Sequence, residues 1–285
     1  MNIPLKINLK DKVAVITGGG GVLCGCFSEA LAECGAKVAI IDINEEAAKK
    51  VVEKIKAAGG TAIAVRADIL DFESLKRAEM IISEKFGTWN ILINGAGGNH
   101  PKGTTSKEYL TKEDLMSKEN ESITFFDLER EGIEFVFNLN FIGMFLSTQV
   151  FAKKMINKKN PVIINISSMN ADRPLTKIPA YSGAKAAVSN FTKWLAVHMS
   201  KVNIRVNAIA PGFFLTEQNR QLLTNNDGSF NARAEKIISH TPMGRFGKPE
   251  ELIGTLLWLI DENASGFVNG VVIPVDGGFS AYSGV

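Results

Sequence analysis

The sequence predicts an α/β fold, a single doubly wound parallel sheet of about seven strands with helices on both faces. Two observations give it. Seven short apolar runs recur along the chain with helical stretches between them, the alternation that builds right-handed βαβ units. Each run is continuously apolar rather than alternating, as strands covered on both faces must be.

The runs follow in order. "KVAVITGGGG" is a strand ending in glycines, and a helix is expected from Gly25 to Cys34. "AKVAIIDIN" is the second strand. "EEAAKKVVEKIKAAGG" is its helix, closed by Gly59 and Gly60, because glycine relieves the left-handed backbone at a helix end. "TAIAVRADI" is the third strand, and Asp71 to Phe86 the helix after it. "WNILINGAG", "NPVIINISS", "NIRVNAIAPG" and "GVVIPVDGG" supply the other four. With no internal repeat, residues 1–285 read as one domain. One stretch breaks the rhythm: residues 98–131 are polar, charged and too long for an ordinary connection. They read as a functional flap or as disordered, and their place after a strand's carboxyl end, where open α/β sheets bind ligands, favours the flap.

Bulk composition excludes several classes of function. The 285 residues are 45% hydrophobic and 22% charged, with a formal net charge of +2 and no concentrated basic stripe. Nucleic-acid binding, which depends on neutralising phosphates, is not expected. The opening "MNIPLKINLKDK" lacks the apolar run of a signal peptide, and no run of roughly 20 apolar residues suggests a membrane span. Cys24, Cys26 and Cys34 include no pair at zinc-site spacing with a second ligand pair, so no metal is expected. They read as reduced packing residues of a cytoplasmic protein.

The glycine turn Thr17–Gly21 lies where the first strand meets the first helix. Glycines there allow a tight turn and let the backbone approach a pyrophosphate, which a helix N-terminus then binds. The second strand ends in Asp42, 24 residues after Gly18. A carboxylate there accepts ribose hydroxyls and repels a 2′-phosphate. Turn and acid together predict a Rossmann-type site for NAD in preference to NADP.

"IPAYSGAKAAVSNF" places Tyr181 and Lys185 four positions apart, on one side of a helical turn. A ketone that accepts hydride becomes an alkoxide and needs a proton. A phenol, with a pKa near 10, gives one reluctantly. An ammonium about 4 Å away, at an effective dielectric of about 20, contributes roughly 4 kcal/mol, or about three pKa units at most. Lys185 is therefore expected to lower the Tyr181 pKa towards the working range of a general acid.

With "NGAG", "NISS", the Tyr/Lys pair and "APG" in this order, the chain resembles the short-chain dehydrogenase/reductase family over nearly its whole length. That family's glycine motif is Thr-Gly-x-x-x-Gly-x-Gly. Thr17 and Gly18 match it, whereas Val22 and Cys24 stand at the last two glycine positions. In the Asn-Asn-Ala-Gly motif, Asn94, Ala96 and Gly97 match and Gly95 replaces the second Asn. The resemblance implies a catalytic set of Ser168, Tyr181, Lys185 and Asn140. Ser168 would hold the carbonyl oxygen, Lys185 would also bind the nicotinamide ribose, and Asn140 would anchor a water. It implies cofactor contacts from Gly18, Gly20, Gly21, Val22, Leu23, Asp42, Ile43, Asp68, Ile69, Asn94, Ala96 and Gly97. Further contacts would come from Tyr181, Lys185, Pro211, Gly212, Phe214 and Thr216.

"GAGGNHP", "SSMNADRPLTKIPAYS", "GFFLTEQNR", "HTPMGRFG" and the tail "VDGGFSAYSGV" are similar to the D-mannonate oxidoreductase (fructuronate reductase) subgroup. That likeness implies NADH-linked interconversion of D-fructuronate and D-mannonate, and family habit implies a homotetramer. A hexuronate needs a cation for its carboxylate. Arg173 is a candidate for a bidentate clamp, or else a surface or subunit-contact residue. Asn99, His100, Asn170 and Asn219 are candidate hydroxyl partners. Three alternatives stay open: a gluconate 5-dehydrogenase-like or other polyol dehydrogenase, a non-catalytic NAD sensor, and a sugar-nucleotide epimerase. The intact Ser/Tyr/Lys set argues against the sensor, and the lack of a large C-terminal substrate region argues against the epimerase.

Overall fold

The computed structural model describes residues 7–116, 122–216, 223–225 and 227–284. In chain order, β1 (Val13–Thr17) leads into α1 (Val22–Glu33), β2 (Lys37–Asp42) into α2 (Glu45–Ala57), and β3 (Thr61–Arg66) into α3 (Phe72–Phe86). Then come β4 (Ile91–Asn94), the short α4 (Lys112–Met116), α5 (Arg130–Phe137), a π-turn (Asn138–Ile142) and α6 (Gly143–Ala152). β5 (Val162–Ile166), α7 (Pro179–His198) and β6 (Arg205–Pro211) follow. The last elements are α8 (Ala232–Ser239), α9 (Ile253–Ile260), α10 (Glu262–Ser265) and β7 (Val272–Val275).

All seven strands are parallel, in the order β3-β2-β1-β4-β5-β6-β7. Strand order reverses between β1 and β4, so the turns leaving their carboxyl ends diverge and open a crevice there. The pleat divides β1 between two cores. Ala14 and Ile16 pack with Phe27 and Leu31 of α1 and Val51 and Ile55 of α2. Val13 and Val15 pack with Leu75 and Ile82 of α3, Phe151 of α6 and Leu195 of α7. Burial on both sides explains why the strands read as unbroken apolar runs.

Helix starts are set by local chemistry. Asn44 accepts from Ala47 N, Asp71 from Glu73 N and Asn231 from Ala234 N, each satisfying a backbone donor that has no partner inside the helix. The first helix starts at Val22 rather than Gly25 and has no side-chain cap at Gly21.

Residues 130–155 form one continuous helix of 26 residues with a mean hydropathy of 1.4 over its most apolar window, long and apolar enough to span a bilayer. The sequence expectation of no such segment is corrected. Three of the polar residues that interrupt the run, Asn140, Ser147 and Thr148, are buried against the protein, where α6 packs on α3 and β4. This is the face of a core helix.

In the 98–131 stretch, the described residues form three short helical pieces: Pro101–Gly103, α4 and Phe125–Asp127. Thr105 N donates to Lys177 O at 2.8 Å, and Lys236 of α8 reaches both Glu108 oxygens at 2.7 and 2.6 Å.

A buried polar chain crosses the sheet beneath the crevice. Asn94 and Asn165 are register partners on β4 and β5. Asn94 Nδ2 donates to Asn165 Oδ1 (2.8 Å) and Thr148 Oγ1 (2.9 Å), and Asn165 Nδ2 donates to Thr192 Oγ1 (2.9 Å). Breaking such a chain leaves buried donors unmet, at about 1–3 kcal/mol per group. Asn165→Val is therefore expected to lower the unfolding free energy by about 2–4 kcal/mol in denaturant titration. A change below about 0.5 kcal/mol would show the chain to be dispensable.

Candidate active site

The crevice is a cleft of about 630 Å³ at the carboxyl ends of the strands. One end is built by the glycine turn. Gly18 has φ +66°, and a Cβ there would lie 2.7 Å from Ala96 Cα, so the turns after β1 and β4 touch backbone to backbone. Thr17 Oγ1 accepts from Gly95 N (3.2 Å) and Ala96 N (3.4 Å). The uncapped start of α1 brings Gly21, Val22 and Leu23 to the cleft wall, where backbone N–H groups and the helix dipole favour an anion.

Asp42 lines the same end. Its Oδ2 accepts from Gly20 N at 3.0 Å and its Oδ1 from Asn44 N at 2.9 Å, which fixes the carboxylate. Ile43, Asp68 and Ile69 continue the wall, with Asp68 Oδ1 held by Leu70 N at 2.8 Å. Gly20 serves by orienting Asp42 and does not itself line the cleft. Asn94 does not line it either. As a residue of a strand paired in register with Asn165, its amide is spent on Asn165 and Thr148 inside the sheet.

The other end gathers Ser168, Tyr181 and Lys185, with Pro211, Gly212, Phe214 and Thr216 closing the loop after β6. Pro179, with its φ already near the helical value, starts α7 and sets Tyr181 in its first turn. Lys185 lies one turn on, its Nζ 5.6 Å from the Tyr181 ring centroid and donating to Ile166 O at 2.8 Å. Ser168 ends the β5 connection, where its Oγ accepts from Asn170 N at 3.2 Å.

Asn140 lies behind this end, in the π-turn of the long helix; such bulges often accompany functional sites. Its Nδ2 donates to Gly98 O (2.6 Å) and Val136 O (2.8 Å), and its Oδ1 accepts from Gly98 N (3.2 Å). A Cβ on Gly97 would lie 2.6 Å from Asn140 Oδ1 and 3.3 Å from Lys185 Nζ. Asn140 therefore clamps the β4 turn next to Lys185.

The electrostatics correct one expectation. The Tyr181 pKa is raised, not lowered. Burial raises it, and a hydrogen bond from Ser168 opposes the rise. Burial also lowers the Lys185 pKa to about 8. The physical reason is that desolvation disfavours both charged forms, while the ammonium points to a backbone carbonyl rather than pairing closely with the phenol. Tyr181 thus keeps its proton, as an acid waiting for a base should.

The described substrate candidates do not line the cleft. The Arg173 side chain is exposed and its Nε donates to Ser280 O at 3.0 Å in the C-terminal tail. His100 Nδ1 accepts from Lys102 N at 3.2 Å and its ring rests on Phe135. Asn99 donates to Thr104 Oγ1, and Asn170 is buried beside Ser168. None of these four lines the cleft, and Asn219 lies outside the described residues. The cleft also contains residues that sequence reasoning did not single out as contacts: Cys24, Gly95, Leu139, Ile166, Ser167 and Phe213. Cys24 and Gly95 were visible only as departures from a motif.

Fold and site define a dinucleotide-type oxidoreductase architecture, and comparison with known proteins gives the family. The family model described as enoyl-(acyl carrier protein) reductase matches residues 25–280. An uncharacterized oxidoreductase of Haemophilus influenzae is 59% identical over 100% of this chain and 99% of its own. A 2-dehydro-3-deoxy-D-gluconate 5-dehydrogenase of Dickeya dadantii is 33% identical over 96% and 97%. A crystal structure of a Haemophilus protein provisionally described as a D-mannonate oxidoreductase, with bound NAD, is similar at 57% identity. It has a TM-score of 0.94 over 100% of both chains. The chain belongs to the short-chain dehydrogenase/reductase family and is an oxidoreductase acting on CH–OH groups.

The depressed Lys185 pKa has a measurable consequence. Between about 8 and 10.5 the unfolded chain holds a proton on Lys185 that the folded chain has released. Stability therefore rises with pH across that window, by up to about 3 kcal/mol. Cys24 and Tyr181, whose values are raised, act in the opposite sense, so the difference between wild type and Lys185→Met isolates the lysine. Denaturant titrations at about pH 7 and about pH 10 should show wild type gaining on the variant. A pH-independent difference would mean the ammonium is not desolvated.

Proposed function

We propose that the chain is an NAD(H)-dependent reductase of keto sugar acids that interconverts D-fructuronate and D-mannonate, with Tyr181 as proton donor. The observation that carries this reading is the meeting of Ser168, Tyr181 and Lys185 at one end of a cleft whose other end is the glycine turn and Asp42. The residues fit a dinucleotide. The Gly18 turn leaves no room for a side chain, the α1 N-terminus is free of a side-chain cap, and the Asp42 oxygens are already oriented. Gly18, Gly21, Val22 and Leu23 would hold the phosphates and Asp42 the adenosine ribose. The same carboxylate would repel a 2′-phosphate, which supports NAD over NADP.

When bound, NADH supplies the hydride for the carbonyl carbon. Ser168 hydrogen-bonds the carbonyl oxygen and holds the ketone in place. As that oxygen gains negative charge, Tyr181 gives it the hydroxyl proton, and ketone plus hydride plus proton becomes the secondary alcohol. Lys185 then stabilises the phenolate left behind. Asn140 holds the Gly97–Gly98 turn against Lys185 and so keeps the ammonium in register with Tyr181.

The choice of D-fructuronate rests on full-length similarity to the Haemophilus protein solved with NAD. The Dickeya relative favours a second reading, a dehydrogenase of gluconate-type acids with the same catalytic set. A panel of keto acids assayed by NADH oxidation separates them. Turnover with D-fructuronate is expected, and turnover only with 5-ketogluconate would move the assignment to the second reading. Tyr181→Phe should lower kcat by about 10²–10⁴-fold while NADH still binds, and retained turnover would remove Tyr181 as the donor. Asp42→Ala should erode the preference for NADH over NADPH by about tenfold or more. An unchanged ratio would mean another residue sets it.

A further inference from the structure

We propose that Cys24 and Gly95 form one positioning unit in the floor of the cleft, in which the cysteine sulfur occupies the space a side chain at position 95 would need. The proposal rests on the dinucleotide reading above. Both residues line the cleft. A Cβ at Gly95 would lie 2.1 Å from Cys24 Sγ and 3.0 Å from Thr17 O, so nothing larger than glycine fits while the sulfur is there. Cys24 is itself buried, at 4% exposure.

The two residues are also two of the three places, with Val22, where the chain departs from the pattern it otherwise follows. A sulfur stands on α1 where a glycine is expected, and a glycine stands after β4 where an asparagine is expected. The departures are reciprocal in volume and face each other across one contact. Burial raises the Cys24 thiol pKa to about 12, so the sulfur is uncharged and unreactive and acts by filling space.

The turn it supports has no slack. Thr17 Oγ1 binds the Gly95 and Ala96 amides, Gly18 lies against Ala96, and Gly97 abuts Asn140 Oδ1 and Lys185 Nζ. Pushing Gly95 away from Cys24 would therefore shift both the phosphate end of the cleft and the amine end.

The test is a double-mutant cycle of wild type, Gly95→Ala, Cys24→Gly and the double variant. Each is measured by thermal unfolding without cofactor and by fluorescence titration with NADH. Gly95→Ala alone should weaken NADH binding by about tenfold or more, and Cys24→Gly alone by about threefold or less. The double variant should return to within about threefold of wild type, a coupling of the size contacting residues show. Equal losses from Gly95→Ala in both backgrounds, or a harmless Gly95→Ala, would overturn the proposal. Should Gly95→Ala not fold, refolding on addition of Cys24→Gly supports the unit and persistent unfolding counts against it. If wild type does not bind NADH, the dinucleotide reading fails on its own. The thermal cycle still decides the packing claim, with non-additive midpoint shifts supporting it and additive shifts rejecting it.

Discussion

The structure depends on the contact between the turns that leave β1 and β4. These strands are neighbours in the sheet, yet their helices go to opposite faces, so the turns must part within a few residues. Gly18 with its positive φ and Ala96 meet at backbone distance, and Thr17 Oγ1 binds the amides of the facing turn. That closeness fixes the line along which the uncapped start of α1, Lys185 and Tyr181 face one cleft. A side chain at Gly18 would separate the two halves of the site, not merely crowd one of them.

Burial governs the chemistry at the far end of that line. A simple pair picture treats Lys185 as a charge that makes a phenol acidic. In the folded chain both groups are removed from water before they act on each other, and desolvation opposes both charged forms. The result is a neutral acid beside an ammonium whose own charge is weakly held. This arrangement suits an acid that must keep its proton until a base forms. In the reaction proposed above, the lysine acts as charge builds on the phenolate, so its benefit falls on the transition state and not on the resting site.

The division between what was legible in the sequence and what was not follows the same physics. Strands buried on both faces, the glycine turn, Asp42 and the Tyr181/Lys185 spacing are local signals, and each was readable in residues adjacent in the chain. Asn94 was misread because a motif names a residue without saying which way the pleat turns it. Its amide bonds Asn165 and Thr148 in the buried interior. The long helix over 130–155 was missed as an apolar segment because its polar residues break the run, although Asn140 and Thr148 are buried and bonded inside the fold.

The substrate end was the least legible because its candidates belong to loops whose side chains have several competing partners. Arg173 holds its Nε on Ser280 O in the C-terminal tail. His100 has its Nδ1 engaged in capping a turn and its ring against Phe135. Ser280 and Phe135 are both far away in sequence, so spacing carries no information about those contacts. The insertion around 98–131 is tied instead to the segment before α7 through Lys177 and to α8 through Lys236. A shift in any one of these three segments is resisted by the other two. The arrangement of these loops is therefore a property of how they pack together, while the cofactor end, built on strand termini, is fixed by the sheet.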